Sequence, residues 1–145
     1  MEKSYLMGMI AGAIAGIADG VVSTFGNSLG AIIGLWPYIE GEFTISFFLT
    51  HIIANLTWNI LWGIVFGFAF AMVYDCIPSK GIKKGLIFSL LFYFLLADIR
   101  TSQILFGWSA FGEGILTLAK AFAWTGFFAS ITYGTVLGYL YKPKK

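Results

Sequence analysis

The sequence predicts an all-α membrane protein, one bundle of four transmembrane helices with both termini in the cytoplasm. Three observations predict it. Of 145 residues, 59% are hydrophobic and only 11% charged, with mean hydropathy +0.85, whereas soluble domains run at about 45–50% apolar and about 25% charged. Four apolar segments each reach the roughly 20 residues that a helix needs to cross a hydrocarbon core about 30 Å thick. The cations between and beyond those segments gather on alternate connections, the signature of a chain that keeps its positive loops inside.

The same composition excludes a soluble enzyme, a disordered tail and a nucleic-acid binder working through a basic face. One cysteine, Cys76, excludes an intrachain disulfide, a CxxC redox pair and a thiolate zinc site within one copy. No nucleophile–base pair stands out. The single histidine, His51, cannot supply a bis-histidine haem site by itself. No cofactor is expected, and the expected partners are the lipid bilayer and other membrane chains.

The first span runs from about Tyr5 to Phe25, with a possible continuation to Trp36. As one straight helix that longer stretch would measure roughly 48 Å. A break is therefore expected at Gly26-Asn27-Ser28, residue types suited to leaving a helix. The second span covers Ile45 to Tyr74 and the third Ile82 to Ile99, after the connection Asp75–Gly81. The fourth covers Ile115 to Tyr141. Short connections make neighbours antiparallel and the whole chain, 1–145, one bundle domain. Lys3, the Lys80/Lys83/Lys84 group and Lys142/Lys144/Lys145 then share one side, while Glu40, Glu42, Asp98 and Glu113 face the other, where Arg100 is the lone loop cation. That polarity puts both termini in the cytoplasm of a plasma-membrane protein.

Small residues recur every four positions. The first span carries Gly8, Gly12, Gly16 and Gly20, the second Gly63 and Gly67, and the fourth Gly126, Ser130, Gly134 and Gly138. Such rows let helix backbones approach closely where lipid supplies little hydrophobic drive. Three rows exceed what one interface requires, so a homo-oligomer or a larger complex is expected. The third span is bulky all round from Leu90 to Leu96, which suits a lipid-facing helix.

Ionisable residues inside apolar spans are expensive and are functional candidates by default. Here they are Asp19, His51, Asp98 and Lys120, one on each span. Counting about 1.5 Å per residue from the span ends places all four in one layer in the outer half of the bilayer. Asn55 and Asn59 follow His51 at intervals of four and continue the polar track inward. The expected function is transport or permeation through this polar site. The alternative is a non-catalytic subunit or assembly factor of a larger membrane complex.

Two resemblances touch single helices. Asn55-Asn59-Gly63 is similar to the Asn-bearing second helix of the small fluoride channels, and Asp19 resembles the acidic residue in the first helix of the small multidrug transporters. The uninterrupted third span lacks the Thr-rich break of the former, and the third-helix aromatic motif and short loops of the latter are not matched. The chain is assigned to neither family.

Overall fold

The computed structural model describes residues 4–32, 45–107 and 113–143. Among them the protein is all-helical: α1 (Tyr5–Ile32), α2 (Ile45–Val73), α3 (Ile82–Gly107) and α4 (Glu113–Leu140), with a single 3-10 turn at Tyr74–Cys76. Two stretches, Tyr5–Gly26 in α1 and Phe48–Cys76 in α2 and the turn after it, are long and apolar enough to cross a membrane.

Two boundaries differ from the sequence reading. Helix α1 passes through Gly26-Asn27-Ser28 without a break. Glycine and asparagine lower helix propensity, but leaving the helix would strand backbone groups that an apolar environment cannot satisfy. Helix α3 continues past Ile99 to Gly107. The polar run Asp98–Gln103 contains no helix breaker, and Gly107 is the first glycine after Gly85. Helix α4 ends at Leu140, two residues short of the pre-proline position Lys142, where the ring of Pro143 disfavours helical geometry. The α2–α3 connection turns at Ser79 (φ 100°) and Gly81 (φ 52°).

Helix α1 packs on both α2 and α4, and α4 also packs on α3. The glycine rows make these contacts. In the α1–α2 pair Gly8 faces Gly67, Gly12 faces Gly63, and Gly16 faces Asn59. In the α3–α4 pair Gly85 faces Gly134 and Gly138, and Gly126 faces the Tyr93 ring. The rows are therefore occupied inside one chain, and the surplus that suggested an oligomer disappears. Helix α3 also has a small face of its own, Gly81, Gly85 and Ser89, turned toward α4. The bulky stretch that follows hides this row from a reading by bulk alone. Leu91, Phe94 and Leu95 on its other side are exposed.

The buried core lies toward the end that carries the α2–α3 turn. It consists of Ala11 and Ala15 of α1, Phe70 and Ala71 of α2, Tyr74, Phe88 of α3, and Tyr133, Leu137 and Tyr141 at the end of α4. Its rings meet edge to face, Phe70 with Tyr74 at 5.4 Å, with Phe88 at 5.1 Å and with Tyr141 at 5.5 Å between centroids, an arrangement favoured beyond the area buried. The Lys84 ammonium is buried there, donates to the Tyr74 carbonyl and sits 4.2 Å from the centre of the Tyr74 ring. The acceptor and the π face offset the cost of burying the lysine head group.

Candidate functional site

Away from the turn end the interior changes character. The residues that face inward from α1 and α2 are Asp19, Ser23, Thr24, Asn55 and Asn59, all buried or half-buried. Close approach of the two backbones places Asn55 against the last part of α1. Its amide nitrogen donates to Ser23 Oγ at 2.7 Å, to Thr24 Oγ1 at 2.8 Å and to the Gly20 carbonyl at 3.2 Å. Thr24, fully buried, donates in turn to the Gly20 carbonyl at 2.7 Å. One turn deeper, Asn59 Nδ2 donates to the Asn55 carbonyl at 2.9 Å and to Asn55 Oδ1 at 3.0 Å. The periodicity of four that put Asn55 and Asn59 on one helix face thus produces a linked chain of amides running down the α1–α2 seam.

The floor of this polar region is a single long-range bond. Tyr133 of α4 reaches across the interior and donates its hydroxyl to the Gly63 carbonyl of α2 at 3.1 Å, with 6% of its surface exposed. Gly63 sits in the α1–α2 contact, so the aromatic side chain of α4 ends against the backbone of that seam. Asp19 lies within electrostatic range of the Tyr133 hydroxyl. No hydrogen bond or ion pair joins the Asp19 carboxyl to another described residue. Below Tyr133 the interior is the packed aromatic core; above it are the amides, the hydroxyls and Asp19.

Of the expected layer of four ionisable residues, Asp19 alone has its side chain among the described residues. Asp19 lies within electrostatic range of Tyr133, and Lys120 is thirteen residues earlier on α4 than that tyrosine, about 20 Å along the helix at about 1.5 Å per residue. Helix α1 runs from Tyr5 to Ile32, so Asp19 stands near its middle. His51, Asp98 and Lys120 are helical, but their side chains lie outside the described residues. Sequence reasoning missed Tyr133, Ser23 and Thr24. Ser23 and Thr24 follow Gly20 by three and four positions on the face that meets α2, and that spacing was the available signal. Tyr133 had none, because its partner is a backbone carbonyl.

Groups of three or more His, Cys, Asp or Glu with metal-binding geometry do not occur among the described residues. Neither a family model, a curated protein nor a solved structure matches the chain.

Proposed function

We propose that the protein is a four-span membrane protein, with both termini cytoplasmic, that takes a polar solute or ion into the interior of its bundle from the outer side and passes it across. The single observation behind this reading is the division of the interior. One half is closed by packed rings. The other holds a linked set of amides and hydroxyls together with the Asp19 carboxyl, which makes no hydrogen bond or ion pair to a described residue. A polar residue kept inside a membrane helix without a partner is costly, and substrate or ion pathways are where such residues are retained. Asp19 supplies charge recognition in this reading. Asn55 and Asn59 supply the hydrogen-bonding wall, and Tyr133 with Gly63 forms the barrier between the polar half and the aromatic half.

The test is flux into vesicles reconstituted with the purified protein, screened over small cations, anions and neutral solutes. Wild-type protein carries one class, Asp19→Asn loses that flux at unchanged thermal stability, and Tyr133→Phe alters its rate. Vesicles no more permeable than protein-free controls to every class, with fully folded protein, overturn the reading. One observation favours the alternative, a subunit or assembly factor of a larger membrane complex. Trp58 and Trp62 stand 60% and 43% exposed in the middle of α2, whereas membrane tryptophans concentrate at the two interfaces. In that case copurification from native membranes recovers a stoichiometric second chain bound at this face.

A further inference from the structure

The two helical hairpins match each other residue for residue where they are most tightly packed. On α1 and α3 the matched positions are Gly12 with Gly85 and Gly16 with Ser89, and the turn residue Gly81 precedes α3 where α1 has Gly8. On α2 and α4 they are Asn59 with Ser130, Gly63 with Gly134 and Gly67 with Gly138, at a constant offset within each helix pair. The contacts match too. Gly12 meets Gly63 in the first hairpin, as Gly85 meets Gly134 in the second. A Cβ added to Gly12 would lie 2.7 Å from the Gly67 Cα, and one added to its equivalent Gly85 would lie 2.8 Å from the Gly138 Cα. Gly63 touches Gly16 as Gly134 touches Ser89, and Gly8 opposes Gly67 as Gly81 opposes Gly138.

With the register set by these contacts, the second helices align as Asn-Ile-Leu-Trp-Gly-Ile-Val-Phe-Gly-Phe-Ala-Phe (59–70) and Ser-Ile-Thr-Tyr-Gly-Thr-Val-Leu-Gly-Tyr-Leu-Tyr (130–141). Ile, Gly, Val and Gly are identical, and Trp62, Phe68 and Phe70 face Tyr133, Tyr139 and Tyr141. Both hairpins run in the same sense, because each begins at the turn end. When two copies of a unit close about a two-fold axis, residues near the axis touch their own equivalents. Phe70 and Tyr141 are such a pair, 5.5 Å apart between ring centroids.

We infer that the chain is two copies of one helical-hairpin unit joined head to tail and closed on each other about an internal two-fold axis, so that the surface of the first hairpin fits a second copy of itself. The polar region is then a feature of the unit–unit interface, because Asp19 belongs to the first copy and Tyr133 to the second. Their equivalents, Phe92 and Trp62, form the other half of the interface. There Phe92 meets Phe66 at 5.2 Å, and Phe66 stacks on Trp62 at 5.5 Å. One interface thus has a polar seat and an aromatic seat at matched positions. The symmetry is broken where α1 has Ala11 and Ala15 and α3 has Lys84 and Phe88. Small side chains let α4 lie against α1, while rings bridge α2 to α3. The inference does not depend on what the polar region binds.

Two measurements on the full chain test it, both in a Cys76→Ser background. The first compares spin-label distances for Ile10–Phe68 in the first hairpin and Lys83–Tyr139 in the second, four exposed and equivalent positions. Superimposable distance distributions are expected; clearly different ones overturn the inference. The second uses a permuted chain of all 145 residues, beginning at Lys80, joining Lys145 to Met1 and ending at Ser79. Tyr141 lies beside Ser4 and Tyr5, so the described chain begins and ends at neighbouring positions. Exchanging the order of equivalent units leaves their interface intact, and a Phe70→Cys/Tyr141→Cys pair cross-links as efficiently as in the natural order. A folded, monodisperse permuted chain without that cross-link overturns the inference. If the permuted chain does not fold, the label distances decide it.

Discussion

Alanine at Gly12 is the sharpest probe of how the hairpins are held. The added methyl would press on the Gly63 carbonyl and lie 2.7 Å from the Gly67 Cα, where carbon atoms ordinarily rest about 3.5–4.0 Å apart. Relief requires α1 and α2 to part by about 1 Å, since both obstacles are backbone and neither can rotate away. Overpacking of this kind costs about 1–3 kcal/mol, and the double backbone contact argues for the upper end. Replacing glycine by alanine inside a helix returns about 1 kcal/mol, leaving a net destabilisation of about 2 kcal/mol. Gly126→Ala is the control. There the methyl meets only the Tyr93 ring edge, at 3.3 Å, so the propensity gain dominates and stability stays level or rises by up to about 1 kcal/mol. The assay is reversible unfolding in mixed micelles, both variants measured beside the wild type. Equal losses at Gly12 and Gly126, or no loss at Gly12, would refute the claim that backbone contact sets the α1–α2 distance.

Three further outcomes are expected. Asn55→Leu removes the donor that ties α2 to Ser23, Thr24 and Gly20 and costs about 1–2 kcal/mol, the range for interhelical hydrogen bonds in membranes; the exposed Thr57→Leu on the same helix costs little in the same unfolding assay. Lys84→Met takes a charged donor from the Tyr74 carbonyl and destabilises by about 1.5–3 kcal/mol, against a negligible change for exposed Lys83→Met, read as unfolding midpoints. For orientation, the exposed Cys76 thiol reacts with an impermeant maleimide only after cells are opened, whereas Glu42→Cys in a Cys76→Ser chain reacts in intact cells; the reverse pattern inverts the topology.

Sequence and structure part company at identifiable physical points. The number of helices and the glycine rows were legible because apolar length and a spacing of four survive any packing arrangement. The Asn55–Asn59 pair was legible for the same reason. The partners of those rows were not, because a row of glycines names a close approach without naming what approaches. Hence the surplus of rows looked like an external interface when each was matched within the chain. The Gly81-Gly85-Ser89 row of α3 was obscured by the leucines and phenylalanines that follow it. The end of α1 was not legible, because Gly26-Asn27-Ser28 reads as a helix stop while α1 in fact continues to Ile32. Tyr133 was beyond reach, since a side chain bonded to a carbonyl 70 positions away leaves no local trace.

The glycine contacts have a mechanical consequence. Where two helices touch backbone to backbone, no side-chain rotamers lie between them to absorb a displacement, so each hairpin moves as a stiff plate. The two plates meet closely along α1 and α4, and the compliant side of the molecule is that of α2 and α3, which rings bridge and a short turn links. Rings can slide and re-tilt over one another at little cost compared with forcing backbones apart. Rocking one plate on the other would strain that bridge, and Tyr133, anchored in one plate and bonded to the other, is the strut that resists it.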